Sequence, residues 1–237
     1  MCGRYSLAGP DPAQLRDRFP LGERVEIHRR FNVAPDDPVL TVTTSSEGEP
    51  RGEILRWGLV PHWVDEPKSG AKMINARAET IAEKPAYRDA FRQRRCLVIA
   101  DGFYEWEKRD GRSKLPWHVT LADGRPFAFA GIWAIWHGDG EADDRQSLRT
   151  CSIVTTAANK SLHDIHPRMP VMLQPDEEAA WLSNDTPPAA LHELLHPLSV
   201  AETAKRPVSR AVNDAHNDTA QCLEDADPAD LAPVTLF

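Results

Sequence analysis

The sequence predicts an α+β fold, a single β-rich domain of mostly antiparallel sheets with short flanking helices. Three observations carry this. Short runs of β-branched and aromatic residues recur from Val39 onwards, and Asp-Gly dipeptides turn some of them back on their neighbours. Helical patterning is confined to brief segments, most of them opened by proline. No repeat, glycine-rich phosphate loop or long linker divides the 237 residues, so one domain spanning 1–237 is expected.

The elements follow in order. Asp11 to Phe19 reads as a helix with Asp11 as N-cap and Pro12 in the first helical position, where its missing N–H costs nothing. Val39 to Thr43, Glu53 to Trp57, Arg95 to Ala100 and Phe103 to Glu107 read as strands. Asp110-Gly111 predicts a hairpin turn into Trp117 to Leu121, and Asp123-Gly124 a second into Phe127 to Trp136. Gly138 to Ser147 reads as a polar loop and Cys151 to Thr155 as a strand. Pro175 to Leu182 and Pro187 to Leu195 read as helices. The acidic stretch from Asp225 to Asp230 and the last ten or so residues read as a loose tail.

Composition narrows the function. Hydrophobic residues make up 41 % of the chain, no apolar run approaches a membrane span, and no signal peptide opens it. A soluble, cytoplasmic monomer is expected, nucleoid-associated in a prokaryote. The net charge of −8 argues against a general nucleic-acid binder, but it is unevenly spread. Residues 1–100 hold 16 Lys and Arg against 14 Asp and Glu, and the remainder 12 against 22, which allows a basic groove within an acidic shell. Only 7 of the 28 basic residues are lysine, a balance that suits either a high-salt cytoplasm or a mildly acidic mesophile. Cys2, Cys96, Cys151 and Cys222 have no disulfide or zinc spacing, and Cys96 and Cys151 read as buried small hydrophobes. No cofactor and no metal is expected.

Four polar clusters stand out: Cys2-Gly3-Arg4, Ile74 to Glu79, Ala100 to Trp106, and His163 to Pro170. Removal of Met1 would give Cys2 a thiol and an α-amine on adjacent carbons. An α-amine titrates near about 8, so part of it is a neutral nucleophile at neutral pH. In Phe103 to Trp106, strand alternation puts Phe103 and Glu105 on one face and Tyr104 and Trp106 on the other. Each cluster also has a plain structural reading. Asn75 and Arg77 serve a turn, Glu105 is neutralised by Lys108 or Arg109, and His166 is held by Asp164. His163-x-x-His166 resembles a metal pair, but no third ligand supports it.

Seven ordered motifs together resemble the SOS-response-associated peptidase (SRAP) family of abasic-site cross-linking proteins. They are Met1-Cys2-Gly3-Arg4, Arg30 to Pro35, Trp57 to Pro61, Asn75 to Thr80, Asp101 to Trp106, Ile165 to Pro170, and Pro207 to Asn213. The chain departs from the family pattern at Arg206, where a histidine is frequent, and at Pro61-His62-Trp63. The resemblance implies a covalent thiazolidine between Cys2 and the ring-opened sugar of an abasic site in single-stranded DNA. It implies Cys2, Asn75, Glu105 and His166 as catalytic residues: Glu105 opens the sugar ring, Asn75 fixes the approach, and His166 shuttles protons. It places Arg4, Arg77 and Arg168 on phosphates, Trp63 on exposed bases, and Asn32, Pro35 and Thr156 along the cleft. The resemblance also implies a peptidase action, suggested by the family's name, and an abasic-site lyase-type activity. The runner-up is an N-terminal-nucleophile amidohydrolase, for which no Asn-Gly-Asp element is present. A self-processing cysteine protease and a pure binding module complete the alternatives.

Overall fold

The structure, a computed structural model, describes residues 2–109, 114–137 and 147–231. In chain order its strands are β1 (Tyr5–Leu7), β2 (Arg30–Val33), β3 (Pro38–Thr44), β4 (Pro50–Trp57), β5 (Asn75–Arg77), β6 (Arg95–Ala100), β7 (Gly102–Glu107), β8 (Leu115–Leu121), β9 (Phe127–Trp136), β10 (Leu148–Ala157), β11 (Arg168–Pro170), β12 (Met172–Leu173) and β13 (Thr203–Pro207). The longer helices are α1 (Pro12–Arg18), α2 (Pro85–Gln93), α3 (Pro175–Leu182) and α4 (Pro188–Glu193).

Two sheets result. The first, ordered β13-β8-β7-β1-β2, is antiparallel throughout. In the second, pairings run β10-β4-β3-β6-β9 and return to β10, so the sheet closes on itself. Among the described residues, both parallel pairings involve β10. Its Thr150–Cys151 stretch pairs with β4, and Ile153–Thr155 pairs with β5 along the same edge. The antiparallel, β-rich expectation therefore holds, with this one exception.

The near-continuous apolar runs of β6 and β9 have a simple cause: both faces of these strands are covered. Val98 and Phe129 point to a core shared with Tyr5, Phe103 and Val119 of the first sheet. Their neighbours Leu97, Ile99, Ala128 and Ala130 face the helices, meeting Leu15, Phe91, Trp181 and Leu191. Arg95, only 2 % exposed, joins the helix ends to the sheet. Its guanidinium donates to the carbonyls of Phe91 and Arg92 on α2 and of Trp181 and Ser183 at the end of α3. Those are carbonyls that a helix terminus leaves without partners.

The expected strands all appear, with β6, β9 and α3 at the predicted limits and β10 longer at both ends. Asp11 caps α1 and forms a capping box with Gln14. The Asp110-Gly111 turn and most of the 138–147 loop lie outside the described residues. Of the stretch expected to be loose, Asp225 to Asp230 is tied down, and residues 232–237 lie outside the described residues. Asp225 pairs with Arg206 and bridges Val208, Asp230 pairs with Arg210, and Arg109 donates to the Asp230 carbonyl. All four cysteines are buried and free.

Candidate active site and nucleic-acid interface

The site forms where the N-terminal segment runs along β7. The Tyr104 N–H donates to the Arg4 carbonyl, and Tyr5 and Ser6 pair with Phe103 and Gly102, so Cys2 and Gly3 extend beside Glu105. Cys2 is fully buried in the core shared by Phe103, Ile165 and Met169. β5 enters from the second sheet, and Asn75 Nδ2 donates to the Cys2 carbonyl at 2.7 Å. Asn75 Oδ1 is buried and has no hydrogen-bond partner among the described residues. That leaves an unfilled acceptor next to the residue whose amine and thiol are in question.

Glu105 keeps to the face that alternation assigns it. Tyr104 and Trp106 lie together on the other, with Val208, Val212 and Cys222. Glu105 is 5 % exposed, and burial raises its pKa above the ordinary carboxylate value. His166 Nδ1 lies 3.9 Å from Glu105 Oε1. The same nitrogen lies 3.1 Å from both the N–H and the carbonyl oxygen of Arg168, so this backbone orients the ring in either neutral tautomer. Asp164 is instead beside His163. Burial also pushes the Cys2 thiol far above its usual range, and the Glu105 carboxylate adds to that effect. The thiol therefore stays protonated until a base takes its proton.

A cleft of about 560 Å³ opens over Glu105 and His166, lined also by Trp106, Lys108, Lys114, His163 and the acidic Asp164. A more open depression of about 360 Å³ shares Trp106 and Lys114 with it and reaches Arg4 and Asn213. The Trp106 indole is held by a 2.7 Å bond to Asn213 Oδ1. Cationic side chains thus gather at one site of a chain that is acidic overall. Lys108 was considered in the sequence only as a partner for Glu105. Lys114 and Asn213 gave no sequence signal of a shared groove, because nothing local reports that β7, β8 and residue 213 meet.

The other candidates divide. Arg4 is half-buried beside this groove and Arg77 is exposed at the end of β5. Trp63 is 49 % exposed with its ring set edge-on to His62. Pro35 is half-buried in the turn between β2 and β3, and Thr156 is 7 % exposed on β10 opposite Met169. These last three belong to neighbouring elements and not to the Cys2–Asn75–Glu105–His166 group. Asn32 is fully buried and holds Arg4 Nη1 at 2.8 Å, so it supports an arginine instead of facing the groove. Arg168 forks onto Glu79 at 2.6 and 3.0 Å and onto the Thr155 carbonyl, which makes it a brace between β10 and the Ala78–Thr80 turn.

A cysteine at position two, buried beside a carboxylate–histidine pair on a closed strand-rich domain, defines a narrow class. The chain belongs to the SOS response associated peptidase (SRAP) family, whose profile matches residues 1–215. It is 39 % identical to the abasic site processing protein YoaM of Bacillus subtilis, over 94 % of this chain and 98 % of that one. It is 30 % identical to the abasic site processing protein YedK of Escherichia coli, over 94 % and 99 %. A crystal structure of a protein from Bacteroides thetaiotaomicron superposes with a TM-score of 0.82 at 27 % identity, covering 95 % of this chain and all of the other. Among the described residues no helix is long and apolar enough to cross a membrane.

Proposed function

We propose that this protein processes abasic sites in DNA, and that it does so by covalent capture of single-stranded DNA through Cys2 once Met1 is removed. The names of its relatives support the coarser statement. The observation that carries the finer one is the meeting of residues 2, 75, 105 and 166 around a buried thiol.

An abasic sugar rests mainly as a closed hemiacetal, and the buried Glu105, whose pKa burial raises, delivers a proton to its ring oxygen. The aldehyde so released is attacked by the α-amine of Cys2, and water leaves to give an imine. The thiol then adds across the C=N bond, its proton passing to nitrogen by way of the His166 imidazole. The product is a five-membered thiazolidine, formed with net loss of one water. The order follows from the groups themselves: the amine is partly neutral near pH 8, whereas the buried thiol holds its proton and closes second. Asn75 Nδ2 fixes the Cys2 carbonyl, and its empty Oδ1 receives an N–H of the amine or a sugar hydroxyl. Arg4, Arg77, Lys108 and Lys114 take phosphates while Trp63 and Trp106 take bases.

The test is a denaturing gel after mixing with a single-stranded oligonucleotide bearing one abasic site. Wild-type protein gives a shifted band and Cys2→Ala none. Cys2→Ser gives at most a reversible, imine-type adduct. A stable adduct from Cys2→Ala, or from protein with residues retained before Cys2, overturns the reading. Released glutamate from glutamine without DNA capture would instead make the protein an amidohydrolase.

A further inference from the structure

The segment that follows Pro207 is bonded to β2 and to Arg4 just before β1, and its bonds converge on Arg4. Arg4 Nη1 donates to the Val212 carbonyl at 3.0 Å and to Asn32 Oδ1 at 2.8 Å. Asn32 Nδ2 reaches the carbonyls of Asp214 and Asn217 at 2.9 and 2.8 Å. One carboxylate fastens β2 to this segment. Asp218 Oδ1 accepts the N–H groups of Phe31 and Asn32 at 2.5 and 2.8 Å, and Oδ2 accepts Arg30 Nε at 2.5 Å. Further on, Arg206 ties the segment back through Asp225 and the Leu223 carbonyl.

We infer that Asp218 is a positioning residue for DNA binding: acting through Asn32, it sets the guanidinium of Arg4 against the groove without touching DNA itself. Among the described residues, Arg4 Nε and Nη2 make no hydrogen bond, so one nitrogen is anchored inward while the rest of the fork faces the depression shared with Trp106 and Lys114. An arginine held by one nitrogen loses less freedom on meeting a phosphate than one that must be ordered at that moment. Asp218 lies just beyond residues 1–215, the part matched by the family profile. The inference rests on the reading of Arg4 as a phosphate contact.

The experiment measures binding of a single-stranded oligonucleotide containing a tetrahydrofuran abasic analogue, which cannot cross-link, and separately the capture rate at saturating natural abasic DNA. Asp218→Ala is expected to weaken binding about tenfold and to reduce the salt slope by about 0.7, as loss of one phosphate contact would. The saturating capture rate is expected to stay within about twofold of wild type. Combined with Arg4→Ala, it should add nothing. Asp218→Asn keeps one acceptor for the two amides, loses the Arg30 ion pair, and should weaken binding less, so the test stands even if the alanine variant folds poorly. Asp218→Glu should restore part of the affinity. Additive weakening on top of Arg4→Ala, or loss of saturating rate with binding unchanged, overturns the inference alone. An Arg4→Ala variant that binds as wild type removes the phosphate reading of Arg4, and the inference with it.

Discussion

Glu105 shows how a single residue acquires its chemistry from its surroundings. In sequence it is one carboxylate beside a tryptophan; in the fold it is 5 % exposed, 3.9 Å from His166 and next to a buried thiol. Burial raises its pKa, which suits a proton donor. Glu105→Gln should therefore slow capture of a natural abasic site by about a hundredfold, about 3 kcal/mol of barrier, while barely affecting a simple aldehyde that has no ring to open. Single-turnover rates at saturating substrate decide it, and full recovery at saturation would leave Glu105 as a residue that merely holds the groove together. His166→Ala should slow both substrates. These four residues were legible from the ordered motifs, but their partners were not. His166 is oriented by the Arg168 backbone where the sequence offered Asp164, and Asn32 turned out to hold an arginine. Such pairings depend on which strands meet, and no local pattern encodes that.

At the scale of elements, β7 and β8 explain why a glycine precedes the site. Tyr104 pairs with His118, whose imidazole lies under Gly102. A Cβ at Gly102 would come within 2.1 Å of His118 Nε2, a ring 7 % exposed and bonded to Ser6 Oγ at 2.9 Å. Gly102→Ala should cost about 1–3 kcal/mol in urea unfolding, and His118→Ala should recover part of that loss in the double variant. His118 also makes a pH prediction. Burial lowers its pKa to about 4, with Arg206 lowering and Asp101 raising it. The unfolded chain takes up the proton first, so stability is full above about pH 6.5 and is lost as pH falls towards 4, by at most about 3 kcal/mol. Unfolding curves from pH 7 to 4 should show that loss in the wild type and a flatter profile in His118→Gln. Element legibility followed length. β6 and β9, apolar and long, matched at both ends, whereas the short polar strands β1, β2, β5, β11 and β13 were not read as strands. Those strands are defined by their neighbours, and three of them carry Asn32, Asn75 and Arg168. Within the site, β7 with Glu105 was therefore visible in local pattern, whereas β5 with Asn75 and the strands that brace the arginines were not.

For the whole molecule, the question is how a chain of net charge −8 holds DNA. The cations that line the site are few and local, so the encounter should be salt-sensitive while the finished cross-link is not. Four phosphate contacts on a single strand give a log–log salt slope of about −3, a loss of roughly fiftyfold between 50 and 200 mM salt. Noncovalent binding of the tetrahydrofuran oligonucleotide tests the first part, and persistence of the captured band in high salt tests the second. Single-stranded abasic DNA should also outcompete an uninterrupted duplex at limiting protein, since stacking on Trp63 and Trp106 needs unpaired bases. Equal capture of both would remove that preference. The central claim is the covalent bond at Cys2, and intact-mass spectrometry of the unreduced, denatured complex tests it most directly. The account predicts one species with the mass of the chain lacking Met1, plus one oligonucleotide, minus one water. An adduct that retains Met1, one that forms equally with Cys2→Ala, or the absence of any adduct surviving denaturation would contradict it.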